Sequence, residues 1–270
     1  MDTAKTRLGR NVYGLAAIGF GVITLTWRDF SSWQHIQTLG NIPPREIAYL
    51  VAAIEIFGGV AIQWPKVARI GAVALGVLFL FFALLWVPLM VGEPRAYDHW
   101  GNFFEQFSIV SGALIVYATS ERSGSEQSTR AARIGCVFFG ICVFSFMLEH
   151  LFVFGLRAIA SFVPKWIPPG QMFLSVTTTI GFGLAAIALL SGRMALLAAR
   201  LLTVMLMGIG LAVWLPAPFA NPHQLMNWAA NAQHWAINGA AWIVADFLSQ
   251  RRFTSTASQF CRKTPRMTSN

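Results

Sequence analysis

Of the 270 residues, 56% are hydrophobic, 13% aromatic and only 11% charged. These are too few charges to clothe a water-soluble globule of this length, which excludes an ordinary cytosolic enzyme. The formal net charge of +9 is carried by Lys and Arg that flank apolar runs rather than gather on a polar domain, so they read as topology signals and no nucleic-acid partner is expected.

In chain order, Lys5, Arg7 and Arg10 precede an apolar stretch ending at Trp27. Arg28-Asp29-Phe30 then follows with no small-x-small cleavage pattern, so the stretch reads as a retained first span, near 10–27, rather than a signal peptide. Further apolar stretches lie near 46–64, 68–91 and 102–119, and then near 133–155, 171–191, 194–214 and 227–247. Each is too long and too uniformly apolar for a strand, and without water in a bilayer each has to satisfy its backbone internally, which selects α-helix. The expected fold is all-α, a polytopic transmembrane helical bundle of eight spans.

Eight spans put both termini on one side. That side would carry Lys5, Arg7, Arg10, Lys66, Arg69, Arg122, Arg130, Arg133, Arg193, Arg200, Arg251, Arg252, Arg262, Lys263 and Arg266. The other side would carry only Arg28, Arg45, Arg95, Arg157 and Lys165. Fifteen against five sets both termini in the cytoplasm, with the bacterial cytoplasmic (inner) membrane as the expected location. The polar, basic tail from Ser249 to Asn270 is expected to rest on anionic lipid or to stay disordered. Cys136, Cys142 and Cys261 include no CxxC pair and imply neither a disulfide framework nor a thiol-redox motif.

The two halves resemble each other. Arg7-Leu8-Gly9 and Gly14 match Arg133-Ile134-Gly135 and Gly140, and Ile42-Pro43-Pro44 matches Ile167-Pro168-Pro169. Gly58-Gly59 sits where Gly181 and Gly183 sit, Lys66 and Ala68 match Arg193 and Ala195, Glu93-Pro94 matches Asn221-Pro222, and Trp100 matches Trp228. A spacing held at about 126 residues indicates a tandem duplication of a four-helix unit. The units are expected at 1–120 and 131–248, with a polar linker at 121–130 and the tail at 249–270. An even number of spans separates the copies, so they form a parallel repeat about an axis along the membrane normal.

Arg10-Gly14, Pro43-Pro44, Glu55-Ile56-Phe57-Gly58-Gly59, the basic turn Lys66 to Arg69 and Trp100-Gly101-Asn102 together resemble the DoxX-like membrane protein family. The second half is similar to the variant with an intramembrane His and a Val-Pro-x-Trp-Ile-Pro loop, here His150 and Val163-Pro164-Lys165-Trp166-Ile167-Pro168. The resemblance implies a four-helix bundle per unit and an association with quinone-linked redox or oxidative-stress systems. This chain departs from the simple pattern in having two units, and its second has Thr178-Thr179-Ile180 where the first has Glu55.

Ionisable side chains inside spans are costly and face a partner or a wet cavity. The candidates for ligand binding are Glu55, Glu105, Glu149, His150, Asn231 and His234. Glu105, Glu149, His150 and His234 fall in the outer half of the bilayer under this topology, while Glu55 lies nearer the middle. For the two histidines the leading reading is interhelical tying; a quinone head group or another small ligand ranks second and a haem third. Glu55 reads first as a buried acceptor between close helices and second as a proton carrier. Asn227, Asn231, His234 and Asn238 form one polar stripe expected to face the bundle interior. Trp33, Trp64, Trp86, Trp100, Trp166, Trp214 and Trp228 read as headgroup anchors, and the outer loops Arg28 to Arg45 and Arg157 to Pro169 are long enough to fold over the bundle.

No metal site is expected. Phosphate-binding, dinucleotide, zinc-protease and serine-hydrolase motifs are absent from the sequence. Two functions follow. One is the membrane component of a quinone-linked redox or oxidative-stress system, with electrons supplied by a partner protein. The other is a non-catalytic membrane protein that binds or moves a lipid or small apolar solute, or scaffolds a complex.

Overall fold

The computed structural model describes residues 8–29, 44–120, 125–153 and 155–263. Among them every regular element is helical. α1 spans Leu8–Trp27, α2 Pro44–Gln63, α3 Ala68–Leu85, α4 Val87–Gly92 and α5 Tyr97–Thr119. In the second half α6 spans Glu126–Phe152, α7 Gly155–Phe162, α8 Gln171–Ser191 and α9 Ala195–Ile209. A π-helical turn at Gly210–Trp214, α10 at Pro216–Ala220 and α11 at Leu225–Lys263 complete the chain.

All eight predicted apolar stretches coincide with helices. Among the described residues, five segments are long and apolar enough to cross a membrane: Leu8–Trp27, Ala68–Gly92, Glu126–Phe152, Gln171–Ser191 and Ala195–Ala220. Among the described residues α2 carries the shorter apolar stretch Ile47–Gln63. The other two stretches fall short of that measure for a physical reason. α5 and α11 bury polar side chains, among them Gln106, Ser108 and Ser111 on the first and Gln233, His234 and Asn238 on the second, which lowers their hydropathy while placing them deepest in the bundle.

The ends of the helices follow local chemistry. α3 breaks before α4 at Trp86, where Pro88 has no N–H to donate and its ring crowds the preceding turn. Pro216 similarly starts α10 just after the π turn. α6 begins earlier than the predicted span because the Ser125 side chain accepts from the Ser128 N–H at 3.1 Å, a helix N-cap. Residues 126–130, expected in the linker, are therefore helical. α11 likewise continues through Lys263 into the expected tail. Ile42, Pro43 and most of the loop between α1 and α2, one of the two expected covers, lie outside the described residues.

Packing proceeds in chain order. α1 lies against α2, α2 against α3, α3 against α5, α5 against α6, α6 against α8, α8 against α9 and α9 against α11, which returns to α1. α5 and α11 also touch, adding a central seam to the contacts of α5 with α6 and of α11 with α1 that join the halves. Small residues bring backbones together. A Cβ on Gly14 would sit 2.5 Å from the Gly59 carbonyl oxygen, and one on Gly59 would sit 2.6 Å from that of Gly14, so α1 and α2 meet main chain to main chain. Tyr13, wholly buried, donates its hydroxyl to the Ile109 carbonyl at 2.9 Å and ties α1 to α5.

Candidate functional site

Glu105, Glu149, His150 and His234, which come from α5, α6 and α11, line one cavity of about 160 Å³. The rest of its wall is apolar apart from Thr178 on α8: it includes Phe146 from α6, Phe182 from α8, Leu206 and Ile209 from α9, and Ile159 and Phe162 from α7. The space matches that of a cavity able to hold a single benzene ring, roughly 150 Å³.

His150 lies in the last turn of α6, with Nδ1 at 2.9 Å from Thr179 Oγ1 on α8. Thr179 donates its only hydroxyl proton to the Ser175 carbonyl at 2.8 Å. Its oxygen must then accept from His150, so in the neutral ring Nδ1 carries the proton and Nε2 the lone pair. His234 is fixed in the complementary sense. Its Nε2 lies 2.7 Å from the Leu206 carbonyl, which can only accept, so Nδ1 holds the lone pair of the neutral ring. Aromatic faces hold both rings in place: His150 meets Phe182 edge-on at 5.2 Å, and Trp214 stacks on His234 at 6.1 Å.

The wider π turn is what lets α9 serve His234. Leu215 N–H donates to Gly210 O at 2.7 Å, and the turn carries Trp214 onto the imidazole. Such single π turns recur at functional sites. Gly210 leaves the ring its room, since a Cβ there would lie 3.0 Å from both His234 Cδ2 and Trp235 Cζ2.

The carboxylates are anchored from the opposite wall. Glu149 rests on α5 at Gly101, where a Cβ would come within 2.9 Å of its carboxyl carbon. It lies within electrostatic reach of Glu105 and of Asp98, which is 55% exposed. Glu105 accepts a short hydrogen bond from Gln233 Nε2, and Gln233 Oε1 accepts from Gln106 Nε2 at 3.0 Å. A polar chain thus crosses the α5–α11 seam and ends in the cavity.

Two of the six candidates stand apart. Glu55, 2% exposed, accepts from Thr24 Oγ1 at 3.3 Å between α1 and α2, neither of which reaches the cavity. Asn231 lines a separate, mostly apolar groove of about 520 Å³ between α1 and α11, with Trp228 and Trp235. The expected polar stripe on α11 is therefore divided. Asn227 bonds the Ala217 carbonyl at 3.4 Å, His234 faces the cavity, and Asn238 is fully buried with neither amide atom bonded among the described residues. Also among the described residues, no group of three or more His, Cys, Asp and Glu is placed to hold a metal ion.

No protein family, curated protein or solved structure matches this chain.

Chemically, the cavity offers the lone pairs of two imidazoles, two carboxyls and the Thr178 hydroxyl in otherwise apolar surroundings. That set can accept hydrogen bonds from a ring bearing hydroxyl groups and can take up or release its protons. Sequence reasoning missed Trp214 as a wall residue, reading it as a headgroup anchor, and missed Phe162. The π turn that redirects Trp214 has no sequence signature beyond Gly210 and Pro216. Phe162 belonged to a loop whose covering role was legible but whose contacts were not.

Proposed function

We propose that this chain is an eight-span integral membrane protein made of two parallel four-helix units of DoxX-like type, and that its second unit binds a quinone-class ring. The observation that carries the ring-binding reading is the pair of basic nitrogens, His150 Nε2 and His234 Nδ1, unbonded among the described residues, on a cavity the size of one ring. A quinol offers two ring hydroxyls, complementary to two such acceptors. The nearby Glu149 and Glu105 are suited to exchanging the protons, and electrons would pass to a partner protein.

Several features support the duplicated architecture. Exchanging α1, α2, α3 and α5 for α6, α8, α9 and α11 leaves the set of principal helix pairings unchanged. Trp100 Nε1 donates to Pro94 O at 3.3 Å, and Trp228 Nε1 donates to Pro222 O at 3.0 Å, the same six-residue bond in each half. Thr24 and Glu55 tie α1 to α2 where His150 and Thr179 tie α6 to α8. Positive charge on the terminal side supports cytoplasmic termini.

Native mass spectrometry of protein released from mild detergent tests the reading. A stoichiometric quinone-class mass is expected, lost in His150→Ala and in His234→Ala while both variants stay folded. An empty wild-type protein, with both variants merely less stable, would assign the histidines to structure alone.

A further inference from the structure

We infer that the ligand of this cavity is an amphiphile taken from the bilayer, its ring seated on the histidines and its apolar tail leaving between α7 and the π turn, past Phe162 and Trp214. The inference rests on the ring-binding reading above and deepens it by naming the ligand's class.

The cavity's polarity is ordered across its width. Glu105, Glu149, His150 and His234 occupy the wall built by α5, α6 and α11, whereas α7 and the π turn contribute Ile159, Phe162, Val213 and Trp214. A ring with polar substituents can satisfy the first wall only if its apolar part points at the second. Phe162 lines the cavity and is also 50% exposed, so its side chain reaches from the interior to the surface. The surface around the π turn is apolar, with Leu211 52% and Leu215 37% exposed, as suits contact with acyl chains rather than water.

The construction of α7 fits a mouth on this side. Ser175 Oγ donates to Leu156 O at 2.8 Å and Gln171 Nε2 to Val163 O at 2.6 Å, so both ends of the short helix are fastened to α8. Toward the π turn it presents Phe162, stacked on Trp214 at 6.4 Å. Ring stacks are held by dispersion and a weak quadrupole, about 0.5–1.5 kcal/mol beyond area burial, and they separate without leaving a polar group unpaired. A space of about 160 Å³ suits a ring, and an attached tail would continue beyond it.

Cysteines at both positions, Phe162→Cys with Trp214→Cys in a Cys261→Ser background, would be bridged by a short bis-methanethiosulfonate and studied in nanodiscs. Binding of a decyl-substituted benzoquinone and of its methyl-substituted counterpart would be followed before and after bridging. The bridge is expected to slow capture of the decyl compound by about tenfold or more, with full recovery on reduction, and the unbridged protein is expected to prefer the decyl compound. Equal capture by bridged and unbridged protein would overturn the mouth while leaving ring binding intact. No binding of either quinone to the wild-type chain would overturn the ring-binding reading, and the mouth with it.

Discussion

A neutral imidazole has one proton to donate and one lone pair to offer, and at both histidines the protein has committed the proton. His150 is fixed through a relay, Nδ1 to Thr179 and Thr179 to the Ser175 carbonyl, and His234 directly on Leu206. The two rings should therefore be opposite tautomers, Nδ1–H and Nε2–H, which nitrogen-15 chemical shifts of the labelled histidines distinguish. Thr179→Val keeps the shape and removes the acceptor. The lost bond should cost about 1 kcal/mol, more if the ring's N–H stays buried, and should release His150 to a mixture of tautomers while His234 is unchanged. An unchanged His150 spectrum in that variant would refute the relay.

Among the elements, α7 and the π turn build the cavity's apolar side, and they are also the parts that sequence reasoning reads least. α7 is fastened to α8 through side-chain bonds to two of its carbonyl groups or those beside it. Ser175→Ala removes one, so amide exchange over Gly155–Phe162 should accelerate about fivefold, the effect of roughly 1 kcal/mol, with the melting temperature of the bundle nearly unchanged. Exchange rising equally across α6 and α8 would show that α7 does not open on its own. The helices themselves were legible because apolar run length is a one-dimensional signal. A helical stripe, by contrast, fixes a face but not the neighbour that face meets. Asn231 and His234 share a face of α11, yet α11 is surrounded by α1, α5 and α9, so one reaches a groove on α1 and the other a cavity beside α9. The corresponding seam between α5 and α6 is filled instead by the rings of Phe103, Phe107 and Phe138, with centroids 5.5 and 5.3 Å apart along the series. The clustering of Glu149, His150 and His234 was foreseeable from shared depth. Glu55 could not be excluded from it by sequence, since depth says nothing of which helices enclose a space.

At the scale of the molecule, the seam between α5 and α11 couples the halves to the cavity through Gln106, Gln233 and Glu105. Gln233→Leu would leave the Glu105 carboxyl and the Gln106 amide buried without that partner. Unsatisfied groups of this kind cost about 1–3 kcal/mol each, so unfolding in mixed micelles should show a loss of about 2–6 kcal/mol, partly restored in Gln106→Leu/Gln233→Leu, where one of the stranded groups is gone. A Gln233→Leu protein as stable as wild type would mean that this polar chain contributes nothing to joining the halves.

The number of crossings has a consequence that a single tag can read. Counting only the five segments that are individually apolar enough would place the termini on opposite sides of the membrane. Adding α2, α5 and α11 makes the count even and returns both termini to one side. The difference is decided by whether a helix with a polar interior face can still cross, and it can when that face is covered by other helices rather than by lipid. α5 and α11 meet that condition, since they occupy the seam and bury Gln106, Gln233 and Asn238 at 3% exposure or less. The basic residues add a second, independent constraint, because opposite termini would put the C-terminal Arg251, Arg252, Arg262, Lys263 and Arg266 on the side away from Lys5, Arg7 and Arg10. Short epitope tags at each end of the full chain in inverted and right-side-out vesicles should accordingly be cleaved together, in the inverted vesicles only. Cleavage of the two tags in opposite preparations would exclude the eight-span arrangement and with it the parallel relation of the halves.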